Sequence, residues 1–251
     1  MVTKIGSITL LAAFAVCVSS QPYDTRAFKA PPPFPHGIYG LQHAIEHLPN
    51  DLSKYEPVNI TIFFESLCPD SRNFFETQLY PLVSHNSIPK QLYNLEFVNY
   101  GNAYTTYDHG TKAYRFRCQH GSSECNGNMY QICHDYIVRN TTETLTFINC
   151  MFEELFSGMS VSDSASRCIQ PLEVASQPLF NAWKMCFDTI APALHAHEGA
   201  RTDALEPRHT FIPWVIFDGE GSGGINAEAQ YSLAEIILRY WFKKHNYTMS
   251  N

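Results

Sequence analysis

The sequence predicts an α/β fold: a β-α-β unit, a helical insertion tied by disulfides, then a returning sheet segment closed by a last helix. Three observations predict it. Residues 58–64, VNITIFF, form an apolar run rich in β-branched and aromatic residues, as a buried strand requires. The run ends at Glu65-Ser66-Leu67, and Cys68-Pro69-Asp70-Ser71 opens a helix-period segment over 72–83 with Phe74, Phe75, Leu79 and Leu82 as its apolar members. Six cysteines then fall among helix-like segments between residues 118 and 186.

The remaining elements follow in order. Leu95, Phe97 and Val98 support a second strand over 92–100, stopped by Gly101-Asn102, which completes the β-α-β unit. Helix-like segments cover 128–136, 143–156 and 179–195, the last with Ala182, Met185, Cys186, Thr189 and Ile190 on one face. The sheet resumes at 210–217, TFIPWVIF. Pro213 belongs at the start of that strand or in a cis bond, because proline interrupts a central ladder. A return strand near 224–226 and a helix over 232–244, with Leu233, Ile236, Ile237, Tyr240 and Trp241 inward, close the chain. This order is a thioredoxin-like topology over 57–246 with an insertion at about 104–209, and no internal repeat is visible.

The ends read differently. Lys4, an apolar run over 8–18 and Ser19-Ser20 predict a signal peptide over 1–20, too short an apolar stretch to span a bilayer. Residues 21–56 carry Pro31-Pro32-Pro33, Pro35 and Pro49 and read as a proline-containing arm with a short helical turn around 42–47; 247–251 form a tail. The net charge of −7 falls to −8 once Lys4 leaves, and no Lys/Arg cluster relieves it, which argues against a nucleic-acid partner. Export, secreted or to an endosomal-lysosomal lumen, makes the sequons at Asn59, Asn140 and Asn246 candidate glycan acceptors.

Cysteine arithmetic sharpens the class. Without Cys17 seven cysteines remain, which predicts up to three bridges and one sulfur left over. Cys118, Cys125, Cys133, Cys150, Cys168 and Cys186 cluster, and Cys68 stands fifty residues before them. Six cysteines allow fifteen pairings, and the sequence does not choose among them. Cys118, His120, Cys125, Cys133 and His134 could be read as a zinc cluster, but the spacing fits no common zinc finger, so disulfides and no metal are expected. Gly219 to Gly224 formally matches GxGxxG, but no helix is expected to open at once after it and it lacks the β-α-β setting a nucleotide needs, so it reads as a hairpin loop. His195, His197 and His209 read as exposed loop histidines.

Residues 118–133, CQHGSSECNGNMYQIC, match CQHGx2ECx2Nx4C at every fixed position. This stretch resembles the signature of the gamma-interferon-inducible lysosomal thiol reductase family, to which Gly101-Asn102-Ala103, the strand-Cys68-helix arrangement and Ile212-Pro213-Trp214-Val215 are also similar. The resemblance implies a thioredoxin-like oxidoreductase acting on protein disulfides without a cofactor. It also implies that Ile212 and Pro213 offer backbone groups to an extended substrate chain.

At a strand-to-helix junction, free backbone N–H groups and the helix dipole favour the thiolate of Cys68, the nucleophilic form. The family pattern is Cys-x-x-Cys, and here the resolving position is Ser71, which cannot form an S–S bond. Asp70 adds a negative charge that disfavours the thiolate. Two readings follow. One is a monothiol oxidoreductase that relies on an external thiol such as glutathione, with reductase activity weak or lost; the other is a secreted binding or regulatory glycoprotein with an extracellular protein partner.

Overall fold

The computed structural model describes residues 38–169 and 177–247. The predicted signal peptide, residues 21–37 of the proline-containing arm and residues 248–251 of the C-terminal tail lie outside the described residues. Strand β1 (Val58–Phe64) is central, and β2 (Tyr93–Asn99) pairs with it in parallel from Val58↔Tyr93 to Phe64↔Asn99. Strand β5 (Trp214–Phe217) pairs antiparallel on the other side, from Ile60↔Phe217 to Phe63↔Trp214, so the sheet order is β2-β1-β5. Ile62, Phe63 and Phe64 are all buried, as a strand covered on both faces must be.

The helical partner of this β-α-β unit is α2 (Pro69–Phe74), which continues through a wide turn over Phe75–Leu79 into α3 (Tyr80–Ser84). An uninterrupted helix was expected here. The π-type turn admits one more residue per turn, and the consecutive Phe74 and Phe75 are both fully buried. Phe75 packs against Phe64, Phe97 and Phe152 with ring centroids 4.6, 6.0 and 5.2 Å away.

Ahead of this unit, the helical turn expected around 42–47 is a full helix, α1 (Ile38–Glu46), with Ala44 buried in the main core. Between β2 and β5 the chain first forms a hairpin, β3 (Tyr104–Asp108) with β4 (Ala113–Arg117), in a stretch the sequence reading treated as part of a helical insertion. Alternating aromatic and polar residues around Asp108-His109-Gly110 carry that signal. Five helices follow: α4 (Ser122–Val138), α5 (Thr141–Phe156), α6 (Val161–Ile169), α7 (Gln177–Thr189) and α8 (Ala191–Asp203). They enclose a second core around Met129, Phe147, Met151 and Trp183.

The helix expected over 179–195 is two helices, because Pro192 lacks the N–H that would continue α7 and instead starts α8. Its proposed inner face is corrected too: Met185 and Ile190 are exposed, while Trp183 and Cys186 are buried. Three disulfides tie the insertion: Cys118–Cys125, Cys133–Cys186 and Cys150–Cys168.

No return strand occupies 224–226. Helix α9 (Gly223–Lys244), kinked at Ser232, begins there, capped by the Ser222 hydroxyl oxygen accepting from Ile225 N–H. The Asn226 side chain takes the strand's place: its Oδ1 accepts the Val215 N–H, and its Nδ2 donates to the Val215 carbonyl at 3.1 Å. The glycine-rich loop thus does open a helix, but after an antiparallel edge strand, so it is no β-α-β nucleotide loop. Leu233, Ile236, Ile237, Tyr240 and Trp241 face inward as expected.

Candidate active site

Cys68 is the N-cap of α2, and its Sγ accepts the Ser71 N–H at 3.3 Å. Pro69 occupies the first helical turn, where a missing N–H is harmless. On the opposite side the Ile212 carbonyl oxygen lies 3.8 Å from Sγ, and the Ile212–Pro213 bond is cis immediately before β5. The geometry therefore brings Cys68, Ser71, Ile212 and Pro213 together. Ser71 is fully buried, and its hydroxyl accepts from the Glu65 N–H at 3.5 Å, so what reaches the sulfur from residue 71 is its backbone amide.

Among the described residues no cysteine is free, where one sulfur left over was expected. Six pair in the three disulfides above, and Cys68 is disulfide-bonded as well. The zinc reading of Cys118, Cys125 and Cys133 falls, because those sulfurs bond to sulfur.

Around the cysteine, the loop Glu65-Ser66-Leu67 is held by the signature segment. Ser66 N–H donates to Asn128 Oδ1 at 2.8 Å, and Ser66 Oγ donates to the Glu124 carbonyl at 3.0 Å. A Cβ at Gly127 would stand 2.4 Å from Ser66 Oγ, so glycine there is a condition of close approach. Gly101 has φ +61°, and a Cβ on it would overlap the Glu65 carboxylate.

Glu65 and Glu124 are both buried and share His120. Glu65 Oε2 accepts the Asn102 N–H at 2.8 Å. Glu124 accepts the His120 N–H at 2.9 Å on Oε1 and faces the ring Nδ1 at 2.5 Å with Oε2. Burial, then the Glu124 charge, hold the Glu65 carboxyl well above the usual carboxylate range. The hydrogen bond to Glu124 raises His120, against an opposing effect of burial.

The sequence reading missed Glu65, Ser66 and Asn102 as supports, and it placed His195 wrongly. His195 is buried on α8, not exposed in a loop, between the rings of Tyr100 and Phe116 and 3.4 Å from Asn128 Nδ2. Burial lowers its pKa to about 4. His197 is exposed but helical, and half-buried His209 meets Asn102 Oδ1 at 3.1 Å. The sequon asparagines Asn59, Asn140 and Asn246 are exposed; Asn140 caps α5, with its Nδ2 donating to Glu143 at 2.6 Å.

A parallel β-α-β unit with cysteine at the helix start, a cis-proline opposite it and an antiparallel strand leading to a closing helix define a thioredoxin-like domain of the thiol–disulfide oxidoreductase class. Residues 59–172 match the family model of gamma interferon inducible lysosomal thiol reductase. Among curated relatives, the gamma-interferon-inducible lysosomal thiol reductase of Carassius auratus is 31% identical over 182 residues, 72% of this chain and 67% of that one. GILT-like protein 1 of Drosophila melanogaster is 32% identical over 199 residues, 73% of this chain and 74% of that one. An oxidised DsbA1 variant of known structure superposes with a TM-score of 0.46 at 9% identity, over 76% of this chain and 88% of that one. The chain belongs to the gamma-interferon-inducible lysosomal thiol reductase family.

Among the described residues no helix is long and apolar enough to cross a membrane.

Proposed function

We propose that this protein performs monothiol thiol–disulfide exchange at Cys68, with net reductase activity well below that of a Cys-x-x-Cys enzyme. The observation that carries the reading is the placement of Cys68 Sγ between the Ser71 N–H at 3.3 Å and the carbonyl that precedes Pro213 at 3.8 Å. The amide and the helix start favour a thiolate on that sulfur, and the extended backbone at 212–213 offers hydrogen-bonding groups to an incoming chain.

Exchange starts from the reduced form of Cys68, which an external thiol of the glutathione class maintains. Cys68 thiolate then attacks a substrate disulfide; that S–S bond breaks, a mixed disulfide forms, and the second substrate sulfur leaves as thiolate. A first external thiolate attacks Cys68 Sγ and releases the substrate, and a second attacks the external sulfur of the new mixed disulfide. Two external thiols end as one disulfide, and the substrate disulfide ends as two thiols. A cysteine at 71 would perform the release intramolecularly, an advantage that a serine forfeits. Asp70, in the first turn of α2, works against the thiolate as well. The substrates are protein disulfides met by an exported glycoprotein, in a secreted or endosomal-lysosomal setting.

Turnover of a disulfide substrate with excess glutathione, measured from pH 4.5 to 7, tests this. The natural protein should be slow but measurable, Cys68→Ala inactive, and Ser71→Cys at least tenfold faster. If the natural protein matches Cys68→Ala while Ser71→Cys is active, the chain is no enzyme, and a binding role for the same scaffold replaces this reading.

A further inference from the structure

Between the end of β1, the Gly101-Asn102 turn and the start of α4 lies a second site with its own chemistry. Glu65 and Glu124 are both fully buried there, against a His120 side chain that is 19% exposed. In each carboxylate a backbone amide holds one oxygen: Asn102 N–H on Glu65 Oε2, His120 N–H on Glu124 Oε1. The other oxygens, Glu65 Oε1 and Glu124 Oε2, turn toward His120 Nδ1, at 3.9 and 2.5 Å. All three donor atoms lie within 4.8 Å of one another, the one such group found among the described residues. Glu65 Oε1 is buried and has no hydrogen-bond partner. A buried carboxylate oxygen aimed at another carboxylate and left unpaired is unfavourable unless a positive group joins it.

We propose that Glu65, His120 and Glu124 bind a divalent transition-metal ion, Zn²⁺ or Mn²⁺, behind the Cys68 loop. Two carboxylates and a neutral imidazole balance a dication, so the buried unit is neutral overall. Nitrogen and oxygen donors without thiolate suit these ions. Tetrahedral coordination spaces donors roughly 3.3 Å apart, so the histidine and Glu124 spread slightly while Glu65 closes in. The two amides that tether the outer oxygens are the outer-shell contacts that keep metal-binding carboxylates oriented. The Cys118–Cys125 disulfide fixes the loop carrying His120, whose partly exposed ring gives the ion access from solvent. This site does not depend on the chemistry proposed for Cys68.

The test is metal content and affinity of the full exported protein, stripped with chelator and titrated separately with Zn²⁺ and Mn²⁺. Co²⁺ ligand-field spectra report the coordination. One ion per chain is expected for the natural protein and for Cys68→Ala. Affinity should fall roughly ten- to hundredfold or more in Glu65→Gln and Glu124→Gln, with near-UV circular dichroism unchanged as the control for folding. His120→Ala should lose the Co²⁺ bands. The proposal is overturned if neither ion binds stoichiometrically, if Glu65→Gln binds as tightly as the natural protein, or if binding vanishes in Cys68→Ala. The first two results would leave a shared proton between the carboxylates, and the last would place the ion on the cysteine.

Discussion

The sulfur of Cys68 is positioned by residues that contribute no chemistry of their own. Asn128, a fixed position of the signature, accepts the Ser66 N–H inside the protein, and Gly127 lets α4 approach close enough for that bond. Asn128→Ala strands a buried N–H, which costs about 1–3 kcal/mol. Gly127→Ala forces Ser66 Oγ aside at a similar cost. Gly224→Ala is the matched control, since nothing lies within 4 Å of a Cβ there. Urea unfolding should show the first two destabilised and the control unchanged, and amide exchange at Ser66 should accelerate in both. A fast Ser66 amide in the natural protein would refute this anchoring role. At this scale the sequence was partly legible: an apolar run followed by a single cysteine located the site, and a proline at a strand start located its opposite wall. Glu65 was not, because a lone glutamate beside an apolar run names no partner, and its partners lie 37 and more residues away in the chain.

At the scale of elements, hydrophobic period found β1, β2, β5 and the inner face of α9, whose apolar residues repeat cleanly. It failed where a side chain replaced a backbone element. A strand was expected at 224–226 to pair with β5; instead the Asn226 carboxamide supplies one acceptor and one donor to Val215, as a neighbouring strand would. Periodicity does not register a single asparagine acting this way, and the adjacent glycines suggested a turn. Asn226→Ala therefore leaves both the N–H and the carbonyl of fully buried Val215 unpaired. A loss of about 2–4 kcal/mol is expected, with exchange at the Val215 amide faster than at its neighbours in β5. A loss below about 0.5 kcal/mol would mean that the strand edge finds other partners. Similarly, Pro192 divided an apolar segment that period alone had joined, and so moved His195 into the interior.

For the whole molecule, buried titratable groups set how stability responds to acid, and they oppose one another. His134 and His195 both have pKa values lowered to about 4 by burial. The fold therefore prefers them neutral: their contribution is complete above the unfolded value of 6.5 and is lost as pH falls from there toward 4. Glu198 runs the other way. Burial, outweighing the attraction of Arg201, raises it to about 7 from 4.5, so its contribution is complete below 4.5 and is lost as pH rises to 7. Glu65, raised to about 8, acts in the same direction as Glu198, so between pH 7 and 4.5 the two acids offset the two histidines and the natural protein should show a shallow dependence of melting temperature on pH. Glu198→Gln removes one arm of this balance. At pH 7.5 the variant should be more stable than the natural protein by about 1–2 kcal/mol, a rise of a few degrees. That advantage should close by pH 4.5, where Glu198 is protonated in both states. The variant then loses stability more steeply on acidification, because Glu65 is left to oppose the histidines without Glu198. Melting curves of the two proteins from pH 7.5 to 4.5 decide the matter: a constant offset across that range would mean that Glu198 is ionised in the fold throughout and takes no part in the acid response of this domain.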